Sequence, residues 1–513
     1  MPKTPSEKLF RLVKSLSGSE KRYFKIYINN KGGRDNKYLR LFEAIEAQDL
    51  FNEEKLQRAV YPGEAVESRK YSELKAYLYD LILRSLQTYD EKSSVDYKLK
   101  NMLLSVRTLY KRSLFDDCKE LLHKAKKISS KYEDFNAALE ILQWQKQIAY
   151  AETDIAYLDK NLSRIAEEEQ NVVRQIRNFS EYKNLFYRLL TEVRKDATYD
   201  KNKAESLAFV QAAKVMSSVE KANSHRSRVL YYRILSVYWF AVRNLEKFYA
   251  ESSDLLTLME SKKYMIAEDT AEYISALSNH FIASGSLEKF AEVEQTLDKL
   301  RAIRSNTADD ELKSYRQYYL GKFNLYIFSG KFSEAYSELQ QHLKSRKKYD
   351  LSLFQKDTFY HKYFTICFGA ERYEEALSHL NEWLGMSRNV ERKDLQGLAK
   401  ILNLIIHYEM QNSELLESLL RSASRYLNEQ KLMAKAEKKI LTALRRAVDT
   451  VGQKALRIHW QEVSKEYALL SREETQSLAR WFPIQEWIDA QASESSFAEM
   501  VRRRFEKINR KQL

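Results

Sequence analysis

The sequence predicts an all-α fold, because the residues that end helices and form tight turns are rare in it. Its 513 residues include only 4 Pro and 11 Gly, and no Pro lies between Pro62 and Pro483. No Gly lies between Gly63 and Gly285. Proline breaks helices, and glycine supplies the positive φ angles that turns between strands need. Apolar residues instead recur every three or four positions, which is the period of an amphipathic helix.

Residues 1–92 are predicted to form a small helical module. Ser17 and Glu20 have the spacing of a capping box, in which each side chain accepts the other's backbone N–H at a helix start. Asp35 and Asn52 are the predicted N-caps of two further helices. A longer helix follows, and its apolar stripe consists of Tyr71, Leu74, Leu78, Leu81, Ile82 and Ser85.

Residues 93–430 are predicted to form helical hairpins, each with a first helix, a short polar turn and a second helix. Gly285 and Gly330 are expected in two of the turns. An earlier hairpin is expected around Phe115, a later one around Leu416, and two degenerate ones in 135–222. The clearest second helices begin at Leu245, Leu287, Phe332 and Tyr373, which are 42, 45 and 41 residues apart.

The second helices resemble those of the tetratricopeptide-repeat-like proteins. In that family an aromatic residue or Leu is followed by a small residue three positions later, as Phe332 is by Ala335 and Tyr373 by Ala376. The period of about 42 residues is longer than the family's 34. The resemblance implies an α-solenoid over 93–430, and residues 431–513 are predicted to be a helical cap that covers its last apolar face.

No pattern in the sequence predicts an enzyme, a cofactor or a metal site. The 8 His residues are dispersed without a zinc-binding motif, and no glycine-rich phosphate loop is present. Cys118 and Cys367 are too few for a disulfide framework, and we expect both in the core of a protein from a reducing compartment. His342 and His407 are expected to be packed and hydrogen-bonded. No segment has the length and apolar character of a membrane span, so we expect a cytoplasmic protein without membrane contact.

The first helices of stacked hairpins would line a concave groove, which is the predicted binding surface for a protein or peptide. The resemblance implies that Asn279 and Asn324, at equivalent places in consecutive repeats, hydrogen-bond the backbone of a bound peptide. An amide suits this role because it both donates and accepts. The complete predicted site consists of Asn279, Gln317, Asn324, His361 and Lys362, with Thr365 beside them. His361 and Lys362 would favour an acidic ligand.

Nucleic-acid binding is the alternative hypothesis, and it depends on charge. The chain has a net charge of +14, and its tail after Met500 carries Arg502, Arg503 and Arg504. Clustered bases can contact phosphates. The basic N-terminal module, in which 35–60 is a candidate helix-turn-helix unit, would contribute to transcription regulation under this hypothesis.

Overall fold

The computed structural model describes residues 7–29, 37–63, 67–90, 94–195, 203–304, 307–349, 351–354, 356–385 and 393–512. Throughout these ranges the regular secondary structure is helical and no strand is present, as predicted. The two cysteines are free and buried, which confirms that they are core residues.

The N-terminal helices have their own apolar core, which is formed by residues between Leu9 and Ile82. The capping box is confirmed: the backbone N–H of Ser17 donates to Glu20 at 2.7 Å, and that of Glu20 donates to Ser17 at 3.3 Å. Asn52 caps its helix as predicted, whereas Asp35 lies outside the described residues. The helices are α1 (Lys8–Ser15), α2 (Gly18–Asn29), α3 (Lys37–Ala47), α4 (Glu53–Val60) and α5 (Ser68–Asp90).

The next four helices form two hairpins. They are α6 (Val95–Tyr110), α7 (Phe115–Tyr132), α8 (Phe135–Ala151) and α9 (Ile155–Lys195). The prediction of two degenerate hairpins in 135–222 is wrong, because α9 is one continuous helix of 41 residues. Its sequence contains no Gly or Pro that would end it earlier. The first part of α9 packs against α8, and α9 also packs against a later first helix, α12 (His225–Ala241).

The middle of the chain continues with further hairpins, and three of the four predicted starts of second helices are confirmed. Second helices begin at Leu245, Phe332 and Tyr373, as predicted, but the one expected at Leu287 begins at Phe290. The helices are α10 (Lys203–Ser206), α11 (Ala208–Ala212), α12, α13 (Leu245–Glu260), α14 (Lys263–Ile266), α15 (Thr270–Ser286), α16 (Phe290–Ala302), α17 (Ala308–Ser329), α18 (Phe332–Ser345), α19 (Asp357–Gly369), α20 (Tyr373–Leu384), α21 (Lys393–Glu409) and α22 (Ser413–Glu429). Short 3-10 turns span Lys214–Met216, Val219–Lys221, Arg346–Lys348 and Leu351–Leu353.

The turn inside each hairpin has one recurring geometry. In the first hairpin the N–H of Ser113 bonds to the carbonyl of Tyr110, and the N–H of Leu114 bonds to that of Leu109. This pair of bonds is a Schellman motif, whose central residue takes a left-handed conformation. Gly285 lies inside α15 instead of in the turn, and Glu288 has the positive φ there. The left-handed residues of the hairpin turns are Ser113, Thr153, Arg243, Glu288, Gly330, Glu371 and Gln411.

The helices pack in chain order, and the first helices also touch one another. Thus α15 contacts α16 and α17, and α17 contacts α18 and α19. A first helix therefore has neighbours on both sides along the array. His342 confirms its predicted role in the core: its Nδ1 and Nε2 lie 3.0 and 2.8 Å from the hydroxyls of Tyr315 and Tyr363. His407 likewise has its Nδ1 3.1 Å from the amide of Asn412.

The last helices share an apolar core with the hairpins before them. They are α23 (Lys435–Asp449), α24 (Gln453–Ala468), α25 (Arg472–Ala479), α26 (Ile484–Ala492) and α27 (Phe497–Gln512). One continuous core extends from Phe323 in α17 to Val501 in α27. The chain therefore turns back at its end, so that α27 packs against α17.

Candidate partner-binding surface

Asn279 and Gln317 lie on neighbouring first helices, α15 and α17, and both are partly exposed. Neither side chain forms a hydrogen bond with any other residue that the structure describes. A polar group in this state is satisfied by water and is free to exchange that water for a ligand. Both side chains are therefore accessible, and their role in partner binding stays a prediction.

Asn324 and Lys362 come together, but as partners of each other. The ammonium of Lys362 donates to the side-chain oxygen of Asn324 at 2.5 Å, and only 5% of Lys362 is exposed. Burial lowers the pKa of Lys362 to about 7, because a low-dielectric environment disfavours the charged form. The prediction that Lys362 faces an open groove is therefore wrong. Asn324 is partly exposed, but its oxygen is already bonded.

His361 is also buried, with 2% of its surface exposed, which corrects the prediction that it meets a ligand in solvent. Its Nε2–H donates to the backbone carbonyl of Trp481, so its Nδ1 is the bare nitrogen and has no partner among the described residues. Burial lowers the pKa of His361 to about 3, and the nearby Lys362 adds to this effect. Thr365 is buried beside them and bonds the carbonyl of His361.

Residues 480–483, which join α25 to α26 and are named here the cap segment, lie against α17 and α19. Trp481 lies edge-on to His361, with ring centroids 5.5 Å apart. Phe482 stacks on Phe497 of α27 at 5.3 Å and contacts Phe368 of α19 at 5.4 Å. A narrow crevice remains between α17, α19 and the cap segment, and Asn324 and His361 are on its wall.

The three arginines of the tail lie on α27, where their surroundings differ. Arg504 is held by Glu288 at 3.4 Å and by Glu486 at 3.1 Å. Arg502 and Arg503 are exposed. The helix is anchored by Phe505, whose ring lies 4.7 Å from Phe290 at the start of α16. Only part of the predicted basic cluster is therefore free for another molecule.

A second concave site, between α6 and α8, was missed by the sequence analysis. This α6/α8 cleft has a volume of about 380 Å³. The signal that could have revealed it is the spacing of Asn136, Gln143 and Gln147, which lie on one face of a helix. It was overlooked because α8 belongs to the part of the chain in which the hairpin pattern is weakest. Its polar lining consists of Arg107, Asn136, Glu140, Gln143, Trp144 and Gln147.

Within the described ranges, no three His, Cys, Asp or Glu residues are grouped so that they could hold a metal ion. None of the described helices is both long enough and apolar enough to cross a membrane. No protein-family model, curated protein or solved structure matches this chain.

Proposed function

We propose that this protein is a non-catalytic scaffold or adaptor that binds a protein or peptide along its first helices. The observation that carries this proposal is the cap segment. It is a stretch of non-helical polypeptide that already lies on α17 and α19, where His361 bonds its backbone and aromatic residues enclose Phe482. Backbone hydrogen bonds and apolar contacts are available to any peptide. A surface that binds the cap segment through them therefore has the chemistry to bind a peptide from another protein.

The proposed architecture is a tetratricopeptide-repeat-like α-solenoid with a period of about 42 residues. The left-handed turn residues support it, because those at 243, 288, 330, 371 and 411 are 40 to 45 residues apart. The contacts between neighbouring first helices support it too. In such an array the first helices form a continuous inner surface on which a long ligand can lie.

We place the open part of this surface on α15 and α17. Asn279 and Gln317 lie there, with side-chain amides that have no partner in the described structure. Amides can bond both the carbonyl and the N–H of a bound backbone, which requires no particular ligand sequence. We therefore assign the uncommitted amides to partner binding, and we assign Asn324, His361 and Lys362 to holding the cap segment.

Affinity capture from cells, followed by mass spectrometry, tests the proposal. The variant Asn279→Ala/Gln317→Ala should lose bound proteins and keep its helical content, because neither side chain has a partner to leave unsatisfied. A matched control is Gln295→Ala/Asn428→Ala, which changes two exposed amides on second helices. If both variants retain the same proteins as the original chain, this surface is not the binding site.

Nucleic-acid binding is the second candidate, and one observation favours it: Arg502, Arg503, Lys507 and Arg510 are all exposed on α27. Nuclease treatment during the same capture experiment separates the two functions. Under the second candidate, binding to a DNA or RNA duplex should weaken linearly in log affinity as log salt rises. Protein partners that survive nuclease treatment would favour the scaffold.

A further inference from the structure

Four polar side chains that line the α6/α8 cleft are uncommitted. Arg107, Asn136, Gln143 and Gln147 are all exposed, and none of their side chains forms a hydrogen bond or ion pair with a described residue. Asn136, Gln143 and Gln147 lie along one face of α8, while Arg107 reaches the cleft from α6. Three amides and a guanidinium therefore point toward the same space without a partner in the described structure.

The inner side of the cleft is formed by a buried indole ring and a carboxylate. Trp144 is 8% exposed and its indole N–H donates to Glu140 at 3.2 Å. Its ring packs against Tyr110 with a centroid separation of 5.3 Å. Because the ring is covered, it offers little surface for stacking a nucleic-acid base. The carboxylate of Glu140 would also repel phosphates, so the chemistry of the cleft disfavours a nucleic acid.

The dimensions of the cleft fit a short extended peptide. Asn136 and Gln147 are separated by eleven positions, so they lie about 16 Å apart along the axis of α8. An extended chain advances about 3.3 Å per residue, so about five residues span this distance. A volume of about 380 Å³ admits a few side chains and leaves the backbone at the amides.

We propose that the α6/α8 cleft binds an extended peptide of about five residues, with an acidic side chain opposite Arg107 and a basic side chain opposite Glu140. The amides of Asn136, Gln143 and Gln147 bond the peptide backbone, and the two charges select its sequence. This inference rests on the proposed function and names a site and a ligand chemistry for it. The ligand is a segment of a partner protein, as the proposed scaffold function requires, and short peptides reproduce its groups.

Fluorescence polarisation with the full chain and labelled, end-capped hexapeptides tests this assignment. The peptides have a Ser, Thr and Val background and carry one Glu and one Lys at scanned positions. We expect the best Glu and Lys pair to bind more tightly than peptides with either charge alone or with none. Arg107→Glu should weaken that peptide about tenfold or more and shift the preference to a second Lys, because a charge-assisted bond becomes a repulsion. Arg112→Glu, an exposed arginine on the same hairpin outside the cleft, should change nothing.

Further outcomes separate this inference from the function on which it rests. Asn136→Ala/Gln143→Ala/Gln147→Ala should weaken all peptides alike. An unchanged charge preference in Arg107→Glu would overturn the assignment of the site, and the scaffold function would stand if Asn279→Ala/Gln317→Ala still loses its cellular partners. Binding of a labelled dT oligonucleotide that Arg107→Glu abolishes would overturn the peptide as ligand.

Discussion

Lys362 is a buried lysine without a carboxylate partner among the described residues. Its ammonium bonds the amide oxygen of Asn324, and no described carboxylate lies within ion-pairing distance. Removing a charge from water is costly, and one neutral hydrogen bond offsets only part of that cost. The residue therefore weakens the fold at neutral pH, and it persists beside a surface that we propose for binding.

Lys362→Met should raise the free energy of unfolding by an amount on the order of 1–3 kcal/mol at pH 7, because it removes this cost. The pKa of Lys362 is lowered from its ordinary 10.5 to about 7. Protons therefore bind the unfolded state preferentially between these values, and the cost of Lys362 shrinks as pH rises from 7 toward 10.5. Urea unfolding from pH 6 to pH 10 should show that Lys362→Met exceeds the original chain in free energy of unfolding by a constant amount below pH 7. Above pH 7 this difference should decline.

Lys344→Met is the matched control, since Lys344 is exposed on α18. It should change the stability by less than about 0.5 kcal/mol at every pH. An advantage of Lys362→Met that does not depend on pH would mean that packing, and not charge, causes the effect.

At the scale of the element, the left-handed residue of each Schellman turn sets the position at which the hairpin bends. Most of the turn residues with positive φ are not glycine, as in the case of Glu371 at 59°. A side chain in the left-handed region costs about 1 kcal/mol, because its Cβ approaches the following carbonyl oxygen. The exception, Gly330, has a second reason to be glycine: an added Cβ would lie 2.8 Å from the backbone nitrogen of Arg502.

Glu371→Gly should therefore stabilise the protein by about 0.5–1 kcal/mol, since relief of the left-handed strain exceeds the added entropy of the unfolded chain. Gly330→Ala should act in the opposite direction and by a larger amount, because it also pushes α27 away from α17. Urea unfolding measures both changes. Limited trypsin digestion should show faster cleavage at Arg502 and Arg503 in Gly330→Ala only; equal cleavage in both variants would mean that this contact does not hold α27.

At the scale of the whole molecule, separate apolar cores divide the chain into parts, and a substitution in one core can destabilise that part alone. The core of α1–α5 consists of residues between Leu9 and Ile82, whereas another extends from Phe323 to Val501. The predicted boundary at 430 falls inside the second core. Helices α23–α27 and the last hairpins therefore stabilise each other directly.

Phe482→Ala should test this coupling, because Phe482 is fully buried between α19 and α27. Its truncation should cost about 3–5 kcal/mol, which is typical of a large buried aromatic residue. Hydrogen exchange followed by mass spectrometry should show faster exchange throughout α17–α27 and no change in α1–α5. Leu469→Ala, at a position that is 86% exposed, is the control and should leave both regions unchanged. Faster exchange limited to α25 and α26 would contradict a shared core.

The sequence by itself determined the helices, most of the hairpin turns and many core positions. These features depend on local patterns: the capping box of Ser17 and Glu20, the apolar stripe of α5, and the residues that begin α13, α18 and α20. It failed at α9, which is one continuous helix in a segment where two hairpins were predicted. Asn279 and Gln317, which were assigned from the repeat register, are partly exposed, and their binding role stays a prediction.

Only the tertiary structure decided that the cap segment returns to α17 and α19. His361 and Trp481 are 120 residues apart in the sequence, and no local pattern relates them. This contact covers His361, and Lys362 beside it is buried as well, although the repeat pattern had placed both in an open groove. The physical reason is that burial depends on every element that packs against a face, whereas a sequence pattern describes only the element that carries it. The α6/α8 cleft was missed for the same reason, because it exists only where two helices meet.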